Sequence, residues 1–310
     1  MRRKDDPSIV GALLIDKPAG FTSHDVVAKV RRALGVRRVG HAGTLDPMAT
    51  GVLVIAAGPI TRLLGIVGAH EKEYTATIRL GASTTTDDRE GDVLVACSTD
   101  ALAAVQDAEI EAAVSGLTGR ISQRPSAVSA VKVDGKRAYQ RVREGEDVQL
   151  PEREVTVSAF DVLGIERGSD FVDVRVRVQC SAGTYIRALA RDLGEALDVG
   201  GHLTALRRTR SGGVRVEECC SIDDVGLDAL VAPADFARRE LPTVEIDGLS
   251  VSKVRKGIRI EASSVGSPVP EESPLGIVGP DNDLVAIAEI ADGQFRYLAV
   301  LPPRRACDSS

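Results

Sequence analysis

Phe171-Val-Asp-Val-Arg-Val-Arg-Val-Gln-Cys180, Ser181-Ala-Gly-Thr-Tyr185, Ile186-Arg-Ala-Leu-Ala-Arg-Asp-Leu-Gly-Glu-Ala-Leu197: this stretch changes its apolar period once, and the change decides the fold class. Val172, Val174, Val176, Val178 and Cys180 recur at every second position, as on a strand with one buried face. Ser181–Thr184 stops the strand. Ile186, Leu189, Ala190, Leu193 and Leu197 then recur at the spacing of an amphipathic helix. Outward from this core, Tyr74, Ala76, Ile78 and Leu80 alternate as a second strand. Gly11–Asp16 is an apolar run that reads as a buried strand, stopped by Lys17-Pro18-Ala19-Gly20. Thr22 with Asp25 three residues later fits a capping box. Val26, Val27, Val30, Ala33 and Leu34 then mark one helical face, with Gly35 as the C-terminal stop. Val52–Ala57 is a further strand, Thr84–Asp92 a polar loop and Asp107–Leu117 a helix. Strands and helices mixed without strict alternation predict an α+β domain.

The composition shifts near Leu241-Pro242. Beyond it, Gly276–Val278, Leu284–Ile290 and Phe295–Leu301 are strand-like and separated by Pro, Gly and Asp turns. The expected organisation is therefore a main domain over 1–242 and a small, mostly β domain over 243–310. Ser122–Pro151 is long, basic and poor in apolar residues, as an insertion on a folded core would be.

Composition excludes several classes. The chain has 310 residues, 43% hydrophobic and 27% charged, enough to bury a real core. It has no run of the roughly 18 apolar residues that spans a bilayer. Met1–Asp6 is charged and no secretory apolar stretch follows it, so the expected location is the cytoplasm. Cys97, Cys180, Cys219, Cys220 and Cys307 form no CxxC pair and no Cys/His ligand spacing, so neither a disulfide framework nor a structural metal is expected. The net charge of −6 argues at first against nucleic acid, but binding requires only a local positive surface. Basic residues do cluster: Lys29, Arg31, Arg32, Arg37 and Arg38; Lys132, Lys136, Arg137, Arg141 and Arg143; and Arg207, Arg208 and Arg210.

Gly40-His-Ala-Gly-Thr-Leu-Asp-Pro-Met-Ala-Thr-Gly51 sets Asp46 in a glycine-punctuated loop, with a following proline that biases it toward extended geometry. Standing alone, it would pass for a tight turn with Asp46 as turn-former. Three stretches together, Gly11–Val27 (GALLIDKPAGFTSHDVV), Gly40–Leu53 (GHAGTLDPMATGVL) and Cys180–Thr209 (CSAGTYIRALARDLGEALDVGGHLTALRRT), resemble the bacterial tRNA pseudouridine-55 synthase family, TruB. Ser129–Leu150 is more weakly similar to that family's RNA-gripping thumb, and the matches run in order from about residue 11 to 213.

The resemblance implies a pseudouridine synthase-type mixed or antiparallel sheet with flanking helices, a thumb-like insertion and a C-terminal PUA-like RNA-binding domain. The implied reaction breaks the N1–C1′ bond of uridine 55 in the TΨC loop of tRNA and rejoins the base through C5, with no cofactor. Asp46 corresponds to the essential carboxylate. Attack at C1′, attack at C6 and action as a base at C2′ all remain open for it. Arg187 corresponds to the arginine that pairs with that aspartate, and Tyr74 to the tyrosine that stacks on the target base. Tyr185 matches an active-site tyrosine, Leu206 an apolar wall of the uridine pocket, and His41 a histidine that helps hold the tRNA loop open. Asp88 falls in the family's Thr-rich acidic loop and is expected to support the site.

The implied partner is tRNA alone: a monomer with no obligate protein partner and no membrane, whose RNA affinity falls with salt as phosphates release counterions. The chain departs from the pattern at Gln123-Arg-Pro-Ser-Ala-Val128, which lacks the Pro-Pro and aromatic of many relatives, and this weakens the inference of thumb contacts. Three rival readings are a glycosidase-like hydrolase, which needs a second carboxylate as acid, a non-catalytic RNA-binding or RNA-folding module, and a guide-dependent pseudouridine synthase. Asp88 is the only acid the motifs offer the first, the set Asp46, Tyr74 and Arg187 speaks against the second, and the basic insertion against the third.

Overall fold

The computed structural model describes residues 9–126, 132–133, 136–137 and 150–303. The chain divides into two compact units, Met1–Pro47 with Gly51–Gly68 and Ser211–Ser310, and Met48–Thr50 with Ala69–Arg210.

In the first unit the strand Gly11–Lys17 runs antiparallel to Thr50–Ala57, Gly11 opposite Ala57 and Lys17 opposite Gly51. It runs parallel to Cys220–Ser221, so the sheet is mixed. Val39–Ala42 pairs antiparallel with Thr50–Ala57. Residues 11–15 form an unbroken apolar run because both faces of the strand are covered. Leu13 and Ile15 join a core with Val26, Val27, Val30 and Leu34 of the helix Ser23–Leu34. Ala12 and Leu14 join another with Val52, Val54, Phe236, Val278, Leu284 and Ile287. The capping box at Thr22 is present, and Gly35 ends the helix in the left-handed conformation. The Thr22 hydroxyl, and then its backbone N–H, hold the Asp25 carboxyl below its usual value.

Also in this unit, Thr243–Glu245, Leu275–Gly279, Asp283–Ala291 and Gln294–Val300 form a separate four-stranded sheet, antiparallel except for its first pair. Its own core contains Val244, Val254, Ile277, Val285 and Phe295. Val254 comes from the helix Gly248–Arg255, which the sequence pattern did not mark. The sheet changes at 243, but Val278, Leu284, Ile287, Ala299 and Leu301 belong to the same cluster as Ala12 and Val54.

In the second unit the strands lie in the order Gly201–Ser211, Lys72–Leu80, Val172–Cys180, Arg153–Arg167, Gly119–Gln123. Lys72–Leu80 and Val172–Cys180 pair antiparallel, Tyr74 opposite Val178. The alternation expected of both is seen as alternating burial. On the polar face Arg79 makes a two-pronged contact with Asp173 at 2.7 and 2.6 Å, and Arg177 one with Asp161. The helix Ile186–Ala196 buries Ile186, Leu189, Ala190 and Leu193. Its end meets the strand Gly201–Ser211 almost backbone to backbone. A Cβ on Gly194 would fall 2.1 Å from Gly201 N, and one on Gly201 would fall 2.4 Å from Ala190 O. Glycine at both places lets the helix that carries Arg187 seat against the strand that carries Leu206.

Three expectations need correction. The loop expected over Gly40–Gly51 is shorter, because Val39–Ala42 and Thr50–Ala57 are strands at its two ends. The insertion expected from 122 begins later, since Ser122 and Gln123 complete the strand Gly119–Gln123. Most of its remainder lies outside the described residues, and so does the second basic cluster apart from the backbone at 132–133 and 136–137. Finally, the clustered Arg207, Arg208 and Arg210 do not lie together at the surface. They sit on a strand, whose period of two turns Arg208 to the interior at 1% exposure and leaves Arg207 half-buried on the other side.

Candidate functional site

Asp46 lies in the seven-residue connection between Val39–Ala42 and Thr50–Ala57 and is half-buried. Both neighbours are tied down. The Ser23 hydroxyl accepts from Leu45 N at 2.9 Å and donates to Leu45 O at 3.2 Å. Pro47 O accepts from Gly20 N at 2.8 Å and from Lys17 Nζ at 3.3 Å. Lys17 is fully buried, and its ammonium also donates to Pro18 O at 2.9 Å and Phe21 O at 2.7 Å. Lys17–Ser23 thus grips the chain one residue before and one residue after Asp46. His41, on the strand leading into this loop, is half-buried and meets the His24 ring edge to face, with centroids 5.5 Å apart. Within this unit, then, the candidate carboxylate and His41 are placed by one helix start and one strand end.

Lys17 and Ser23 were not picked out as site residues from the sequence. Lys17→Met keeps the apolar stem and removes the donor for three partly buried carbonyls. Groups left without a partner cost about 1–3 kcal/mol each, less whatever water recovers, so a net loss of about 3 kcal/mol is expected. Thermal unfolding should fall by about 6–12 °C, at roughly 2–4 °C per kcal/mol. An unchanged melting temperature would show that the clamp does not hold the loop.

The second unit holds the other candidates. Tyr74 is 8% exposed on Lys72–Leu80, and Leu206 is 8% exposed on Gly201–Ser211, the strand next to it. Arg187 stands in the first turn of Ile186–Ala196 and is 5% exposed. Its guanidinium donates to Thr86 O at 2.9 Å and reaches the Asp88 carboxylate at 3.4 Å. Asp88 is equally buried, and its other oxygen accepts from the Thr86 hydroxyl at 2.5 Å and from Glu90 N at 3.0 Å. The Thr84 hydroxyl closes the turn on Asp88 O at 2.8 Å. The hydroxyl-rich run Thr84–Thr86 therefore holds a buried carboxylate against Arg187. A buried ion pair of this kind depends on such added hydrogen bonds to offset desolvation. Leu203 N donates to Asp87 O at 3.0 Å, tying the loop to the Leu206 strand.

Tyr185 occupies the N-cap position of the helix and is half-buried, its ring 5.2 Å from the Arg153 guanidinium. Its backbone N and O are both bound by the side chain of Gln123, a residue noted from the sequence only as part of a departure from the family pattern. Among the described residues no three or more His, Cys, Asp or Glu side chains gather as metal ligands, and no helix is long and apolar enough to cross a membrane.

Residues 31–186 match the family model for the N-terminal domain of TruB family pseudouridylate synthases, and residues 187–241 match that for the tRNA pseudouridylate synthase B C-terminal domain. The chain is 51% identical to the tRNA pseudouridine synthase B of Leifsonia xyli subsp. xyli, over 94% of its own length and 96% of that protein. It is 50% identical to the tRNA pseudouridine synthase B of Thermobifida fusca, over 94% and 98%. Among solved structures it resembles a chain of a Cbf5–Nop10–Gar1 complex with a TM-score of 0.71 and 28% identity, over 96% of this chain and 87% of that one. A pinned Gly-Thr-Leu-Asp-Pro loop, a buried arginine on the Gly-Thr-Tyr-Ile-Arg helix and half identity over nearly the whole length lead to one conclusion: the chain belongs to the TruB family of pseudouridylate synthases.

Proposed function

We propose that the protein converts uridine 55 in the TΨC loop of tRNA to pseudouridine, with Asp46 as the essential carboxylate. The observation that carries this reading is Asp46 itself, an acid between two anchored neighbours in a chain half identical to proteins named tRNA pseudouridine synthase B. The reaction is an isomerisation. The N1–C1′ bond breaks, a C5–C1′ bond forms, the C5 proton leaves and N1 ends protonated, so neither water nor an electron acceptor is consumed.

The protein's part is to hold an extruded base and to supply one carboxylate at the sugar or ring. Extrusion costs a few kcal/mol of stacking, which an aromatic surface returns in part. Tyr74 is the residue proposed to stack on the base, with Tyr185 and Leu206 bounding the pocket and His41 holding the RNA loop open. Arg187, kept in place by Asp88 and Thr86, is proposed to supply the positive charge that favours an ionised carboxylate. Asp46 as nucleophile and Asp46 as base use the same constellation. We place the protein in the cytoplasm as a monomer acting on bare tRNA.

The likeness to Cbf5 complexes brings in a guide-dependent alternative, and one experiment separates the two. Purified protein incubated with [5-³H]uridine-labelled tRNA transcript is expected to release tritium without any other protein or RNA, with pseudouridine mapped to position 55. A folded, tRNA-binding protein that releases none would overturn the proposal in favour of an RNA-binding module. Release only after a guide RNA and further proteins are added would favour the Cbf5-like mode.

A further inference from the structure

We infer that Gln123 is a positioning residue for this reaction, setting Arg187 through the backbone of Tyr185; the inference rests on Arg187 belonging to the site. Gln123 is fully buried and ends the strand Gly119–Gln123, and the residues beyond it begin the insertion. Its side-chain oxygen accepts from Tyr185 N at 2.8 Å and its amide nitrogen donates to Tyr185 O at 3.1 Å. One side chain thereby gives Tyr185 the two-bond pairing that a neighbouring strand would give.

Tyr185 is where the chain turns into the helix Ile186–Ala196. Its side chain makes no capping bond, while its carbonyl also accepts from Leu189 N at 3.2 Å. The helix entry is therefore fixed from outside, by Gln123. Two residues on, Arg187 must meet both Thr86 O and Asp88. Gln123 is paired in register with Arg153, the first residue of the returning strand, and Arg153 lies over the Tyr185 ring. Both strands at the root of the insertion thus converge on Tyr185, one on its backbone and one on its ring.

A second tie runs parallel to the first, one helical turn further along. Arg191 donates to Arg124 O at 2.8 Å and lies 3.4 Å from the Asp87 carboxylate, whose same oxygen accepts from the Ser126 hydroxyl at 2.6 Å. Asp87 adjoins Asp88 and has a φ of 57°, a left-handed conformation that its neighbours must hold. Residues 123–126 therefore bear on both supports of Arg187, the helix that carries it and the loop that meets it. An amide in Gln123's position sets geometry and adds no charge.

The test uses the full-length protein in single turnover with enzyme saturating over tRNA. Gln123→Met keeps length and removes both bonds. Its pseudouridylation rate is expected to fall by about 10- to 100-fold, the scale of a small misplacement near reacting groups. The Kd for tRNA should stay within about threefold, since a positioning defect acts on the chemical step and not on uniform binding. In a double-mutant cycle with Arg187→Lys the two losses should be non-additive, because both act through one group. A Gln123→Met rate within about twofold of wild type, or additive losses in the cycle, overturns the inference. Should Gln123→Met unfold, Gln123→Glu, which keeps the acceptor for Tyr185 N, is judged by the same two criteria. An Arg187→Lys protein of full activity removes the reading of the site itself, whereas an impaired Arg187→Lys with additive Gln123 removes only the present inference.

Discussion

Asp46→Asn is expected to abolish tritium release and leave a folded protein that still binds tRNA. Asparagine matches aspartate in shape, and the ties around it run through the neighbours: Leu45 to the Ser23 hydroxyl, Pro47 to Gly20 and Lys17. The loop should therefore hold its course while the carboxylate is lost. An amide is neither a nucleophile toward C1′ or C6 nor a base toward C2′, so all three routes fail together. Loss of a positioned base or nucleophile lowers rates on the order of 10³-fold or more. Melting temperature and tRNA affinity report whether anything else has changed. Residual turnover within about tenfold of wild type would show that Asp46 is not the essential acid.

How much of this was open to reading depended on whether a contact leaves a periodic trace. The helix Ser23–Leu34 did so at both ends, through Thr22 with Asp25 and through Gly35, and its bounds agree closely with the expected face. Val172–Cys180 did so through strict alternation. Arg153–Arg167, the longest strand among the described residues, was missed because its register shifts between Val157 and Ala159 and again between Val162 and Gly164. A bulge breaks the period of two that identifies a strand. Gly201–Ser211 was covered by the family resemblance but not seen as a strand, and Arg207, Arg208 and Arg210 were therefore grouped by sequence proximity although the strand sets Arg207 and Arg208 on opposite faces.

The site shows the same divide. Asp46 and Arg187 were legible only through the resemblance of the stretches around them to a family, since alone Asp46 passes for a turn-former. Lys17 and Ser23 grip backbone atoms 30 and 22 positions away, and a backbone acceptor has no side-chain identity for a sequence to display. Gln123 is a further case, since its partner is the backbone of Tyr185, 62 residues on.

Ending the chain at Pro242 should destroy the fold and not merely weaken RNA binding. The strands beyond 243 form their own sheet, which would suit an appended domain that could be cut away without harm. Their second face argues otherwise, because Val278, Leu284, Ile287 and Leu301 pack in one cluster with Ala12, Leu14, Val52, Val54 and Phe236. Burial of each large side chain contributes about 1.5–3 kcal/mol, so the four together are worth about 6–12 kcal/mol. That sum is comparable to the whole stability of a typical domain, about 5–15 kcal/mol. The surface uncovered lies on Gly11–Lys17, which leads into the segment clamping Asp46, and on Thr50–Ala57, which follows the Asp46 loop. A 1–242 protein is expected to be insoluble, or to bind a hydrophobic dye and melt without a cooperative transition. A soluble 1–242 protein with a sharp transition near that of the full chain would mean that this shared core contributes little. Its RNA affinity would then measure what the C-terminal sheet adds to recognition. If the fold is lost instead, the C-terminal sheet has a structural duty that any account of it as an RNA-docking module must include, since one of its faces backs the strands next to the Asp46 loop.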